Sequence, residues 1–107
     1  MNDDEFVEFL KSVLIKLENA INLVEYKQPR HIPSYNKVLG IQQKMVNIKK
    51  PYKDMLFSQL ITVRSIIYYF MDGRYHEAYK QLLKLRSELV KIGEDIQKKD
   101  KNERDTV

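Results

Sequence analysis

Between Tyr75 and Ile96, the residues Tyr75, Ala78, Leu82, Leu85, Leu89, Ile92 and Ile96 recur at steps of 3, 4, 3, 4, 3 and 4. A seam this regular predicts an α-helix with one face turned to a neighbouring helix. The rest of the chain follows the same rhythm less strictly. From Asp3 to about Tyr26, the residues Phe6, Leu10, Val13, Leu17, Ala20 and Val24 share one helical face. Asn2 and Glu5 have capping-box spacing, and the acids of the first turn suit the positive end of the helix dipole. Pro29 and Pro33 disfavour helical geometry in the residues before them, which predicts a stop near Lys27 and a stiff connector, KQPRHIP.

Ser34 is the expected cap of a second helix, on which Val38, Ile41, Met45 and Ile48 form a thinner stripe. Gly40 in its middle costs about 1 kcal/mol relative to alanine, so this helix leans on packing. Pro51 suits both the end of that helix and the first turn of the next. The third helix, about Pro51 to Met71, is apolar around most of its circumference. Leu56, Leu60, Val63, Ile67 and Phe70 make one stripe, and Phe57, Ile61, Ile66 and Met71 widen it. Its polar strip of Ser58, Thr62 and Ser65 is uncharged, and Arg64 is the sole charge between Asp54 and Asp72. Such a helix belongs in the middle of a bundle, with part of its surface facing a partner or a second copy of the chain. Tyr68, Tyr69 and Phe70 point about 100° apart in succession, so all three cannot face one core, and aromatic rings left at a rim suit interface anchors.

Asp72-Gly73 then reads as a scaffold bend, with glycine in a left-handed turn and Ala78 small enough for close helix approach just beyond it. The G-R-Y-H-E-A turn is similar to that of a tetratricopeptide-type hairpin, but no second copy follows, so no repeat array is expected. The architecture expected is all-α: an antiparallel up-and-down four-helix bundle over residues 1–96, with a charged, disordered tail over 97–107.

At 107 residues the chain is expected to be one domain. With no cysteine, disulfides, thiolate metal sites and cysteine nucleophiles are all excluded. The acidic start, MNDDEF, lacks the basic region of an export signal, and no stretch is apolar enough to span a bilayer. The expectation is a cytoplasmic protein. Catalysis is not expected: His31 and His76 are the two histidines, and the serines lie on helices or at a cap. Gly40, Gly73 and Gly93 cannot build a phosphate loop, and neither Arg30-His31 nor Arg74 with His76 has the spacing of helical nucleases. No metal and no cofactor are expected.

Charge is the most uneven feature. Residues 1–25 hold six acids against Lys11 and Lys16, whereas residues 26–53 hold seven bases and no acid. Arg30, Lys37, Lys44, Lys49, Lys50 and Lys53, interleaved with tyrosines, form a candidate anion or nucleic-acid site. The competing expectation is that the acidic first helix lies beside them and balances them.

The stretches "YNKVLGIQQKM" and "LFSQLITVRSIIYYFMDGRYHEAYKQLLKL" resemble, in helix order and apolar spacing, the small helical immunity proteins that protect bacteriocin producers. That resemblance implies a cytoplasmic four-helix bundle acting by contact with a receptor complex and performing no chemistry. Two functional readings follow. One is a non-enzymatic protein, immunity-type or regulatory, that binds another protein through Arg64, Tyr68 and Tyr69. The alternative is a nucleic-acid binder using the basic segment 30–53.

Overall fold

A computed structural model describes residues 1–26 and 30–105, with side chains as far as Lys99. Among the described residues there are five helices and no strand: α1 (Asp3–Glu25), α2 (His31–Val46), α3 (Tyr52–Met55), α4 (Phe57–Met71) and α5 (Tyr75–Asp105). The helix α1 packs against α2 and α5, and α4 packs against the same two, so the four long helices surround one core.

That core is the set the apolar spacing marks out. Phe6, Leu10, Val13 and Leu17 of α1 meet Leu82, Leu85 and Leu89 of α5, with Val38, Ile41 and Met45 from α2 and Val63 and Ile66 from α4. Each large aliphatic side chain buried in this way stabilises the fold by about 1.5–3 kcal/mol relative to exposure. The start of α1 is fixed by the expected capping box: the Glu5 N–H donates to Asn2 Oδ1 at 2.8 Å, and the Asn2 N–H reaches back to Glu5 Oε1.

The second helix begins earlier than Ser34. Its first turn is His31, Ile32 and Pro33, and its N-cap, Arg30, gives no side-chain hydrogen bond. Pro33 is tolerated because the first-turn nitrogens have no intrahelical acceptor in any case. Ser34 is thereby freed from capping and lies fully buried, its Oγ donating to the Ala20 carbonyl of α1 at 2.9 Å. Two small residues facing each other let α1 and α2 approach closely there. The part of the expected connector at residues 27–29 lies outside the described residues.

The expected third helix is interrupted at Leu56, where φ is −100° and ψ 10°. The Leu56 N–H is shared between the Tyr52 and Lys53 carbonyls, both at 3.2 Å. The break keeps both Tyr52 and Leu56 buried, with Tyr52 stacked on Phe6 and its hydroxyl donating to Asp3 at 2.6 Å. At the other end, the Arg74 N–H bonds the Tyr69 carbonyl at 2.8 Å and the Gly73 N–H bonds that of Phe70 at 3.2 Å. This Schellman pair needs Gly73 at φ +74°, which is the role read from Asp72-Gly73 in the sequence.

The last helix does not stop at Ile96. Where a disordered tail was expected from residue 97, α5 continues to Asp105. Glutamine, lysine, glutamate and arginine are strong helix formers, and a helix already nucleated by its packed half extends at little cost per residue. Residues 106 and 107 lie outside the described residues.

Two of the three glycines give opposite expectations. Gly73→Ala adds no steric contact but forces a Cβ into the left-handed region, and should cost about 1–2 kcal/mol. Gly40→Ala, whose nearest neighbour would be Lys16 Nζ at 3.9 Å, should instead stabilise by about 0.5–1 kcal/mol. Urea unfolding of the two variants beside the parent chain checks both signs.

Candidate protein interface

The main stripe expected for the third helix faces inward, with Leu56, Val63 and Phe70 buried and Leu60 and Ile67 half-buried, but Phe57, Ile61 and Met71, expected to widen it, do not. Gln59 and Thr62 are buried, whereas Phe57, Ile61, Tyr68 and Met71 are 66, 52, 71 and 69% exposed. The buried polar groups are partly satisfied: Gln59 Nε2 donates to Glu88 on α5 at 2.8 Å, and Thr62 Oγ1 donates to the Ser58 carbonyl at 3.3 Å. Gln59 Oε1 is buried without a partner among the described residues. With Arg64, which is also exposed, the outward residues fall at 57, 61, 64, 68 and 71, steps of 4, 3, 4 and 3. That is a heptad spacing on the exposed side of the helix.

The neighbouring edge of α2 extends this stripe. Ile32, Leu39 and Val46 are seven residues apart, so they share one side, and none is fully buried. Their side faces α4: Tyr35 meets Phe70 edge-on at 6.2 Å, and Ile32 and Met71 line one cavity of about 150 Å³. That cavity is completed by His31, Tyr35, Phe70 and Tyr75, with His31 stacked on Tyr75 at 3.6 Å. One continuous apolar surface therefore runs from Phe57 along α4 to the aromatic end of the molecule, and Arg64 is the one charge within the α4 stripe.

Of the sequence-predicted partner residues, Arg64 and Tyr68 lie on this surface. Tyr69 does not: it is half-buried against the core, and its ring lies under the Arg74 guanidinium at 5.1 Å. Tyr68 and Tyr69 nevertheless both line a cleft of about 270 Å³ at the end of α4, with Met71, Asp72 and Arg74. Sequence reasoning placed Phe57, Ile61 and Met71 in a widened core stripe. The missed signal was the heptad they form around Arg64, the single charge of the helix, which marks that side as the outer one.

The basic candidates are spread out. Arg30 precedes α2 and stacks over the Tyr26 ring at 5.4 Å, while Lys49, Lys50 and Lys53 lie beyond its other end, a helix length of about 24 Å away. Lys37 and Lys44 occupy the α2 edge facing α1, the side where Lys16 approaches Gly40. Among the described residues none of these cations forms an ion pair. Five of the six acids of α1 are engaged elsewhere: Asp3 by Tyr52, Glu5 by Asn2, Glu8 by Lys11, Glu18 by Arg86 and Glu25 by Tyr79. The expected balance of charge between the first and second helices is not made by contact.

No family model matches the chain, and no curated protein or solved structure matches it either. No described helix is long and apolar enough to cross a membrane.

The Tyr79–Glu25 contact joins α5 to α1 beside the aromatic end. That hydrogen bond raises the Tyr79 pKa above the ordinary tyrosine value of 10.0, desolvation and the Glu25 charge adding to it and Arg86 opposing it. A raised phenol pKa means that this contribution to stability is present below the unfolded value and is lost as pH rises through the higher folded value. Absorbance titration should show one tyrosine ionising late, and Glu25→Gln should bring it back toward its ordinary range.

Proposed function

We propose that this chain is a non-enzymatic binding protein, immunity-type or regulatory, whose α2–α4 face engages another protein. The observation that supports this reading is the inversion on α4, with Gln59 and Thr62 inside and Phe57, Ile61, Tyr68 and Met71 outside. Contiguous exposed apolar surface mixed with aromatic rings is characteristic of interaction sites. We further propose that the four long helices form an antiparallel up-and-down bundle. Contact registers support it: Ala20 with Ser34 and Asp3 with Tyr52 relate α1 to the segment that follows, and Glu18 with Arg86 and Glu25 with Tyr79 relate it to α5. In each pair the numbers rise on one partner as they fall on the other.

The binding role is tested by placing a photo-crosslinking residue at position 68 or at position 15 of the full chain in its own cells. Ile15 is 65% exposed on α1, away from the proposed face. A discrete adduct should form from position 68 and not from position 15, and should disappear when Ile61→Glu is added. Ile61 is about half exposed and lies outside the buried core, so that substitution should shift folding stability by about 0.5–1 kcal/mol and leave the fold intact.

The unpaired state of Lys37, Lys49, Lys50 and Lys53 favours a second reading, a nucleic-acid contact along the basic segment. Under that reading, affinity for a short duplex falls steeply between 50 and 200 mM salt, at ~0.9 log units per log unit of salt for each phosphate contact. Lys49→Ala with Lys50→Ala reduces that slope. An absence of binding at low salt removes this reading and leaves the first intact.

A further inference from the structure

We infer that the occupant of the α2–α4 face is an amphipathic helix of another protein carrying one carboxylate at the centre of its apolar side. The inference rests on the binding role proposed above and specifies the chemistry of the partner. The shape of the occupant follows from the seam. Phe57, Ile61, Arg64, Tyr68 and Met71 keep a 4, 3, 4, 3 spacing, which the ridges of a helix fit and an extended strand, repeating every two residues, does not. On α2, Ile32, Leu39 and Val46 keep the same helical period, and Ile32 shares a cavity with Met71 at the end of the stripe. An amphipathic helix laid between two helices is an established way of occupying such a groove.

The charge of the occupant follows from Arg64. The guanidinium stands in the middle of the stripe, exposed and without an ion pair among the described residues. Any partner that covers Phe57 and Tyr68 on either side also takes water from Arg64. Removing a cation from water without a counter-charge costs several kcal/mol, whereas a carboxylate meeting the planar fork of arginine offsets that cost with paired hydrogen bonds. A second copy paired symmetrically through the same stripe sets Arg64 against Arg64, with the acids Asp54 and Asp72 at the two ends of the stripe and away from its centre. Charge complementarity therefore favours an acid-bearing partner over self-association.

The test uses the full chain as bait for a displayed library of amphipathic peptides. Each peptide has leucine at its a and d positions, and the central d position is randomised. Binders that are lost on Tyr68→Glu bait report the proposed face. The expected result is enrichment of Asp or Glu at the central position, a drop in affinity of at least about tenfold on Arg64→Ala, and selection of Lys or Arg when the bait is Arg64→Glu. Face-dependent binders with no acidic preference overturn this inference while leaving the binding role standing. Binders indifferent to Tyr68→Glu, or none at all, count against both. Sedimentation of the bait alone supplies the remaining outcome: a dimer abolished by Tyr68→Glu assigns the face to a second copy and overturns the inference. Circular dichroism of each variant shows that the helices persist, and where Arg64→Ala fails to fold, Arg64→Gln replaces it.

Discussion

The packing of α5 against α1 is the contact on which the remaining structure depends. Leu82, Leu85 and Leu89 are fully buried, as are Phe6, Val13 and Leu17 across from them, and α5 contributes the longest unbroken heptad seam. Bringing the two ends of the chain together closes a loop of most of its length, and loop-closure entropy grows only slowly with length, so a few large side chains suffice to offset it. With α1 and α5 paired, α2 packs against α1, α4 packs against α5, and the two meet each other to close the core. Glu18 with Arg86 and Glu25 with Tyr79 then line the rim of the α1–α5 seam. Exposed contacts of this kind contribute little energy, but they fix register.

That pairing decides the charge layout as well. Of the α1 carboxylates, Glu5 and Glu8 are held by neighbours in or capping α1 itself, and Glu18 and Glu25 by α5. The basic segment is left facing solvent, with its cations divided between two ends and one edge of α2 rather than gathered in a patch. The two candidate surfaces are therefore separated by the width of a helix. Lys37 and Lys44 lie toward α1, and Ile32, Leu39 and Val46 lie toward α4. A ligand on one edge does not have to displace a ligand on the other.

Much of this was legible in the spacing of apolar residues. Phe6, Leu10, Val13 and Leu17, then Val38, Ile41 and Met45, then Ala78, Leu82, Leu85 and Leu89 were all marked for the core and are there. Each lies on a helix with one apolar face, so periodicity leaves a single choice of which side to bury. On α4 the stripe of Leu60, Val63, Ile67 and Phe70 faces the core as its spacing implies, but the helix is apolar on both sides of that stripe, and periodicity cannot choose which side is buried with it. The choice was made by neighbours: Glu88 on α5 offers Gln59 a hydrogen bond, which makes a polar side chain acceptable inside, and the competing apolar side is left outward. Ser34 was misread for a related reason. A serine at a helix start satisfies the capping rule locally, but a carbonyl on another helix, at Ala20, is its acceptor, and no local pattern contains that information. The stop expected at Ile96 failed because loss of apolar residues ends packing, not helicity.

The inversion on α4 also bears on why the surface persists at all. An isolated chain gains nothing from exposing Phe57, Ile61, Tyr68 and Met71, and large exposed apolar patches invite non-specific association. Arg64 is placed where it limits that association. A guanidinium in the centre of the seam penalises any apolar surface that covers it without a carboxylate, including a second copy of the same stripe. Under the proposed binding role, the same residue does two things with one charge: it opposes a symmetric pairing of two stripes, and it selects among partners by the single group they must supply. Lysine in its place would carry the same charge but offer no planar fork to a carboxylate, so discrimination by geometry would weaken while repulsion between copies remained.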